Sequence, residues 1–175
     1  MPQYLKAVTG LDALAQGIES YWSKNATVKS RVYSANAIGL VWNNLKKSVL
    51  ENSFEAHRKV VIGSNFAGRA INIAKTTAPH AISYYFTSKH KINHGHAVAL
   101  TLGKVFQFNN EKATNSSKEM QEVFNDLNHL LRIDENQRVA IEDFISELNI
   151  ELDYSKLGID ITKELLIIKK HVNQE

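Results

Sequence analysis

The chain has 175 residues, 43% of them hydrophobic and 22% charged, which is the composition of one globular domain and excludes a disordered polypeptide. Its formal net charge is only +3 and its lysines and arginines are scattered, so no basic patch predicts nucleic-acid binding. The sequence has no cysteine, which excludes disulfides and thiolate metal sites. It also has no apolar stretch of membrane length and no signal peptide, so we predict a cytoplasmic protein with no membrane partner.

Apolar residues recur at intervals of three and four along most of the chain, which is the spacing of helices that bury one face. Only two prolines and eight glycines interrupt this pattern, and strand-like alternation is nearly absent. The pattern predicts eight helices, near residues 10–23, 28–52, 54–74, 79–89, 94–107, 117–131, 136–148 and 160–172. The polar stretches 109–119 and 153–160 are the clearest predicted loops. We therefore predict a single all-α domain over residues 1–175.

The first predicted helix carries Asp12 in its first turn, behind Thr9 as a candidate N-cap. Residues i and i+4 share a helix face, so Asp12 and Gln16 are expected to point the same way. An acid in a first turn often does no more than complement the helix dipole, and Asp12 taken alone favours that structural role.

Two histidines, 14 residues apart (94 − 80), are predicted to begin helices: His80 follows Pro79, and His94 follows the N-cap candidate Asn93. The positive end of a helix dipole disfavours a protonated imidazole, which keeps the ring available as a ligand. Together with Asp12 they offer one carboxylate and two imidazoles, a donor set typical of a catalytic divalent metal with a position free for substrate. By spacing alone, a metal site and two ordinary hydrogen-bonded histidines are equally supported.

Other chemistries have less support. The sequence has no GxSxG elbow, Walker loop or GxGxxG turn, and the acidic residues of 142–155 fit a solvated helix face. Surface, hydrogen-bonding or packing roles are predicted for the remaining candidates, namely His57, His90, His129, His171, Trp22, Trp42, Tyr84 and Tyr85.

Three segments, in this order, resemble the C-terminal helical half of the iron-containing (group III) alcohol dehydrogenases, whose superfamily includes glycerol dehydrogenase and dehydroquinate synthase. GLDALAQGIESYWS resembles the metal-binding GxDAxxHxxE segment of that family. SNFAGRAINIAKTTAPHAISYYFT and INHGHAVALTLGKVFQFN resemble the segments that carry its next ligand histidines. The resemblance covers roughly residues 6–109, and the variants AQGIESYWS and TTAPHAISYYFT are most similar to the branch of phosphonoacetaldehyde reductase-like proteins.

The resemblance implies that Asp12, His80 and His94 are ligands of a divalent metal, Fe²⁺ or Zn²⁺. Gln16 stands where the iron enzymes usually have another ligand histidine, and its amide oxygen would be a weaker ligand. Tyr84 stands where many members have a histidine that faces the nicotinamide. The implied function is an alcohol or aldehyde oxidoreductase, in which the metal polarises the substrate oxygen while NAD(P) exchanges hydride.

In this family the cofactor binds to an N-terminal α/β domain with a GGGS-type phosphate loop, which residues 1–175 lack. The resemblance thus implies that the chain is a fragment, an isolated domain or a split-gene product, and that it is inactive alone. It would use NAD(P) only together with a nucleotide-binding domain, which a separate chain could supply. We expect its exposed cleft to favour self-association.

Two alternative functions remain open. The first is a dehydroquinate synthase-like cyclase, because HGHAVAL also resembles that family's HGEAVA segment. The second is a metal-free helical interaction module in which Gln16 marks loss of the metal site.

Overall fold

The structure is a bundle of helices, given by a computed structural model that describes the backbone of residues 1–172 and the side chains of residues 1–170. Within those residues the helices are α1 (Gln3–Trp22), α2 (Val28–Leu50), α3 (Phe54–Ala74), α4 (Ala78–His90), α5 (His94–Ala113), α6 (Lys118–Leu131), α7 (Gln137–Ser146) and α8 (Ile161–Val172). The predicted all-α class and the predicted eight helices are confirmed. No helix in the described part of the chain is both long and apolar enough to cross a membrane.

The predicted start of α1 is wrong, because the helix begins at Gln3 and not near residue 10. Thr9 is not an N-cap, since its hydroxyl donates to the carbonyl oxygen of Leu5 (2.7 Å) inside the helix. Val8 has no solvent exposure, so packing of the apolar face extends the helix toward its N-terminus. Asp12 therefore lies in the middle of α1, where a helix-dipole role no longer accounts for it.

The predicted loop over 109–119 is also too long, because α5 continues to Ala113 and the connection covers only residues 114–117. Ala113 is buried, and the side chain of Gln107 donates to Glu111 (2.8 Å) across one turn of the helix. Burial and a side-chain pair at i,i+4 both stabilise a helix beyond the end of its clear apolar pattern. The second predicted loop, 153–160, is non-helical as expected.

Aromatic side chains pack between neighbouring helices. Trp22 at the end of α1 stacks on Phe124 of α6, with ring centroids 5.7 Å apart. Trp42 of α2 stacks on Phe144 of α7 at 4.0 Å. The packing roles predicted for the tryptophans are thereby confirmed.

The last helix, α8, is attached to α4 by Glu164. Its carboxylate accepts hydrogen bonds from the Tyr85 hydroxyl (3.0 Å) and from His90 Nε2 (2.8 Å), and it forms an ion pair with Lys89 (3.1 Å). Only 8% of Glu164 is exposed, so these three partners replace the water that the carboxylate loses on folding.

We expect this attachment to weaken in acid. Burial raises the pKa of Glu164, but the hydrogen bonds from His90, Lys89 and Tyr85 outweigh burial and hold that pKa below its ordinary value of 4.5. A carboxylate whose pKa is lowered by folding contributes stability above its unfolded pKa and loses it as the pH falls through the folded value. The difference in unfolding free energy between the wild type and Glu164→Gln, measured by urea denaturation, should shrink below about pH 4.5. A difference that does not change with pH would contradict this role.

Candidate metal centre

Three helices bring Asp12, His80 and His94 together. Asp12 lies in α1, His80 is the third residue of α4, and His94 is the first residue of α5. Asp12 Oδ1 lies 3.2 Å from His80 Nε2 and 3.6 Å from His94 Nε2. One nitrogen or oxygen atom from each residue lies within 4.8 Å of the other two. Residues that are far apart in the sequence therefore present their donor atoms to one small volume.

The close approach of α1 and α5 depends on Gly95. A Cβ atom at this position would lie 1.9 Å from the carbonyl oxygen of Val8 and 3.2 Å from Asp12 Cβ. Real side chains do not approach a backbone oxygen so closely, so only glycine permits this contact between the two backbones. The contact places His94, the preceding residue, beside Asp12.

Both histidines begin helices, as predicted. Pro79 lies in the first turn of α4, and the Asn93 side chain caps α5 by accepting from the Gly95 N–H (3.2 Å). The expectation that the helix N-terminus keeps His80 neutral is wrong. Burial lowers the pKa of His80, but hydrogen bonds and charge from Asp12 and Glu19 raise it to about 9. Two carboxylates in direct contact outweigh a helix dipole.

Glu19 is a residue of the site for which no role was predicted. It has no solvent exposure, and its carboxylate accepts from the backbone N–H of His80 (3.2 Å) and from His80 Nδ1. Its spacing was an available signal, because residues 12, 16 and 19 lie on one face of a helix. His80 is therefore held between two carboxylates, Glu19 at Nδ1 and Asp12 at Nε2.

Gln16 faces the site from α1, on the side predicted from its spacing to Asp12. Its Nε2 donates to Asp12 Oδ2 (3.0 Å), the carboxylate oxygen that does not contact the histidines. Gln16 thus contacts Asp12 itself, and its role as a metal ligand stays a prediction.

His94 lies at the open side of the site, with 36% of its side chain exposed. The Ser83 hydroxyl donates its only proton to the carbonyl oxygen of His80 (2.6 Å), so it accepts from His94 Nδ1 (3.3 Å). His94 Nε2 is then the ring nitrogen that faces Asp12 Oδ1, 3.6 Å away. The Tyr84 ring stacks on His94 with centroids 5.6 Å apart. Tyr84 is 44% exposed, so it lies at the rim of the site.

The other histidines whose side chains the structure describes lie apart from this cluster. Three of them are hydrogen-bonded elsewhere or exposed, as predicted: His57, His90 and His129. The side chain of His171 lies outside the described residues. His96, for which no role was predicted, is buried and donates from Nε2 to the carbonyl oxygen of Glu151 (2.6 Å).

The donor set and its charge fit a divalent metal. Ligands at about 2.1 Å in a tetrahedral site lie about 3.4 Å from one another, between the 3.2 and 3.6 Å that separate Asp12 Oδ1 from the two imidazole nitrogens. Asp12 and Glu19 surround His80 with two carboxylates, and the pKa of about 9 that they give it reflects an excess of negative charge. A divalent cation would balance that charge, and carboxylate and imidazole are ligands that Fe²⁺ and Zn²⁺ accept.

Comparison with known proteins agrees with this geometry. Residues 6–173 match the C-terminal model of the Fe-containing alcohol dehydrogenase family. Phosphonoacetaldehyde reductase of Streptomyces viridochromogenes is 36% identical over 101 residues, or 57% of this chain and 25% of that protein. Long-chain-alcohol dehydrogenase 1 of Geobacillus thermodenitrificans is 29% identical over 100% of this chain and 45% of its own length. The first relative agrees with the branch suggested by AQGIESYWS and TTAPHAISYYFT.

A solved structure shows the same fold. The sulfoacetaldehyde reductase from Bifidobacterium kashiwanohense, crystallised in complex with NAD+, superposes with a TM-score of 0.85 at 26% identity, over 98% of this chain and 44% of that one. The chain thus spans less than half the length of these relatives. Because the family match covers nearly all of its residues, the protein belongs to the iron-containing alcohol dehydrogenase family and corresponds to that family's C-terminal region.

Proposed function

We propose that residues 1–175 form the metal-binding catalytic domain of an NAD(P)-dependent alcohol or aldehyde oxidoreductase. The convergence of Asp12, His80 and His94, with donor atoms within 4.8 Å of one another, is the observation that carries this proposal. A divalent metal, Fe²⁺ or Zn²⁺, would polarise the substrate oxygen when bound. The relatives named phosphonoacetaldehyde reductase and sulfoacetaldehyde reductase support a small aldehyde or alcohol as the substrate, and the family supports a cytoplasmic location.

The residues of this site have different roles. Asp12 supplies the one anionic donor that both histidines face, and His80 supplies a buried donor that cannot turn away. His94 and Asp12 are partly exposed, which leaves a substrate access to the donor atoms. Tyr84, stacked on His94 at the rim, limits the size and orientation of what enters.

We further propose that NAD(P) binds only together with a nucleotide-binding α/β domain, on this polypeptide or on a separate chain. A phosphate cradle needs a glycine-rich turn that leads into a helix N-terminus. Gly63 and Gly68 lie inside α3, Gly95 lies inside α5, and Gly158 is the one glycine outside a helix among the described residues. A single glycine does not make such a turn. The surface that this domain would cover is free to support self-association of the chain.

Two alternatives can be separated from this proposal. A dehydroquinate synthase-like cyclase has less support, because the matched family is that of the dehydrogenases. A metal-free helical interaction module would explain why Gln16 stands where the iron enzymes usually have a histidine. Calorimetric titration of the purified chain with Zn²⁺ is the deciding experiment: one bound equivalent supports the catalytic domain, and no binding supports the interaction module.

Gln16→His should bind Zn²⁺ more tightly than the wild type. The side chain at position 16 already contacts Asp12 (3.0 Å), and imidazole is the better donor for a borderline metal. The dissociation constant from the same titration gives the result. Gln121→His, at an exposed position of α6, makes the same substitution away from the site and should leave the constant unchanged. Equal or weaker binding by Gln16→His would contradict a site that position 16 can reach.

The 175-residue chain by itself should bind NADH or NADPH very weakly and should have no measurable dehydrogenase activity with short-chain alcohols or aldehydes. The physical reason is the absence of a phosphate cradle within residues 1–172. Fluorescence titration with NADH and an absorbance assay of hydride transfer would test both statements. Robust turnover by this chain alone would contradict the need for a separate nucleotide-binding domain.

A further inference from the structure

Glu19 is a charged side chain in a place where charge is costly. It has no solvent exposure, and burying a carboxylate is unfavourable unless its oxygens are hydrogen-bonded. Both oxygens are: Oε1 accepts from the His80 N–H (3.2 Å) and from the Thr77 hydroxyl (3.4 Å), and Oε2 accepts from His80 Nδ1. An apolar side chain of similar volume would avoid the desolvation cost, so packing alone does not account for an acid here.

These hydrogen bonds fix both the backbone and the ring of His80. With Nδ1 directed at Glu19, the opposite nitrogen Nε2 is directed at Asp12 Oδ1, 3.2 Å away. An imidazole that donates one N–H to a carboxylate presents its other nitrogen as the ligand, and the same hydrogen bond makes that nitrogen more basic.

The carboxylate of Glu19 is in turn held by residues on the far side from the site. Trp22 Nε1 donates to Thr77 Oγ1 (2.9 Å), and the Thr77 hydroxyl donates to Glu19. Trp22 is buried and stacks on Phe124 in the core. The orientation of His80 is thereby linked to rigid aromatic packing and not to a mobile surface group.

We propose that Glu19 is a positioning residue, which orients the His80 ring so that Nε2 faces the metal centre and strengthens that nitrogen as a donor. The metal-binding consequence rests on the proposed function, whereas the orientation of the ring does not.

The test compares two variants that each neutralise a buried carboxylate bonded to a histidine. Glu19→Gln removes the charge beside His80, and Glu164→Gln removes the charge beside His90 (2.8 Å), between α4 and α8. We expect Glu19→Gln to weaken Zn²⁺ binding by about 10- to 100-fold, and Glu164→Gln to leave it unchanged. Circular dichroism establishes that each variant is folded before the titration.

A second measurement needs no variant of Glu19. In histidine-labelled wild-type protein, the His80 Nδ1 proton should give a signal protected from solvent exchange by NMR, with or without Zn²⁺, and His80→Asn identifies it by its loss. A wild type without this protected proton would overturn the inference. So would a folded Glu19→Gln variant with wild-type Zn²⁺ affinity, or an equal loss of Zn²⁺ affinity in Glu19→Gln and Glu164→Gln. A wild type that keeps the protected proton and binds no Zn²⁺ would refute the proposed function and still support the orientation of His80 by Glu19.

Discussion

Replacing Gly95 by alanine is expected to destabilise the protein by about 3 kcal/mol, at the upper end of the usual cost of overpacking. The added Cβ would lie 1.9 Å from the carbonyl oxygen and 2.7 Å from the carbonyl carbon of Val8, and backbone atoms cannot rotate away as a flexible side chain can. Relief requires α5 to move away from α1, which separates His94 from Asp12. Urea denaturation measures the loss of stability, and Zn²⁺ titration measures the damage to the site.

Gly68→Ala provides the matched control for this substitution. Gly68 lies inside α3, and a Cβ there would meet nothing within 4 Å. Alanine has the higher helix propensity, so this variant should gain up to about 1 kcal/mol. Similar stabilities for Gly95→Ala and Gly68→Ala would show that the backbone contact between α1 and α5 is not as close as described.

The largest effect on metal binding is expected from Asp12→Asn, which should weaken Zn²⁺ binding by more than about 100-fold. Loss of a group that only supports a ligand costs about 10- to 100-fold, and Asp12 is itself a ligand candidate. Its Oδ1 is the atom that both His80 Nε2 and His94 Nε2 face, so its charge is central to the donor set. The fold should persist, because the Asp12 side chain is partly exposed.

Asp126→Asn makes the same change at an exposed position of α6, where the carboxylate accepts a hydrogen bond from the Tyr21 hydroxyl (2.8 Å). Its Zn²⁺ affinity should equal that of the wild type. If Asp12→Asn also kept wild-type affinity, the metal would have to bind elsewhere in the chain.

Helices were predictable because their pattern is local. Apolar residues at intervals of three and four mark each buried face, and Pro79 and Asn93 mark the starts of α4 and α5. The start of α1 was not predictable in this way, since the burial of Val8 against α5 extends that helix. Helix ends follow the packing around them when propensities alone are marginal.

The candidate site was likewise only partly predictable from the sequence. Local sequence patterns were enough to predict the helices and to place His80 and His94 at helix starts. The ordered motifs carried the resemblance that marked Asp12 as their partner. Contacts between helices, which no local pattern reveals, bury Glu19 against His80 and raise the pKa of that ring through two carboxylates. The reason is distance: Asp12 and His80 are 68 positions apart in sequence, and their contact at 3.2 Å forms because α1 and α4 both pack against α5, with Gly95 permitting the close approach of α1 and α5.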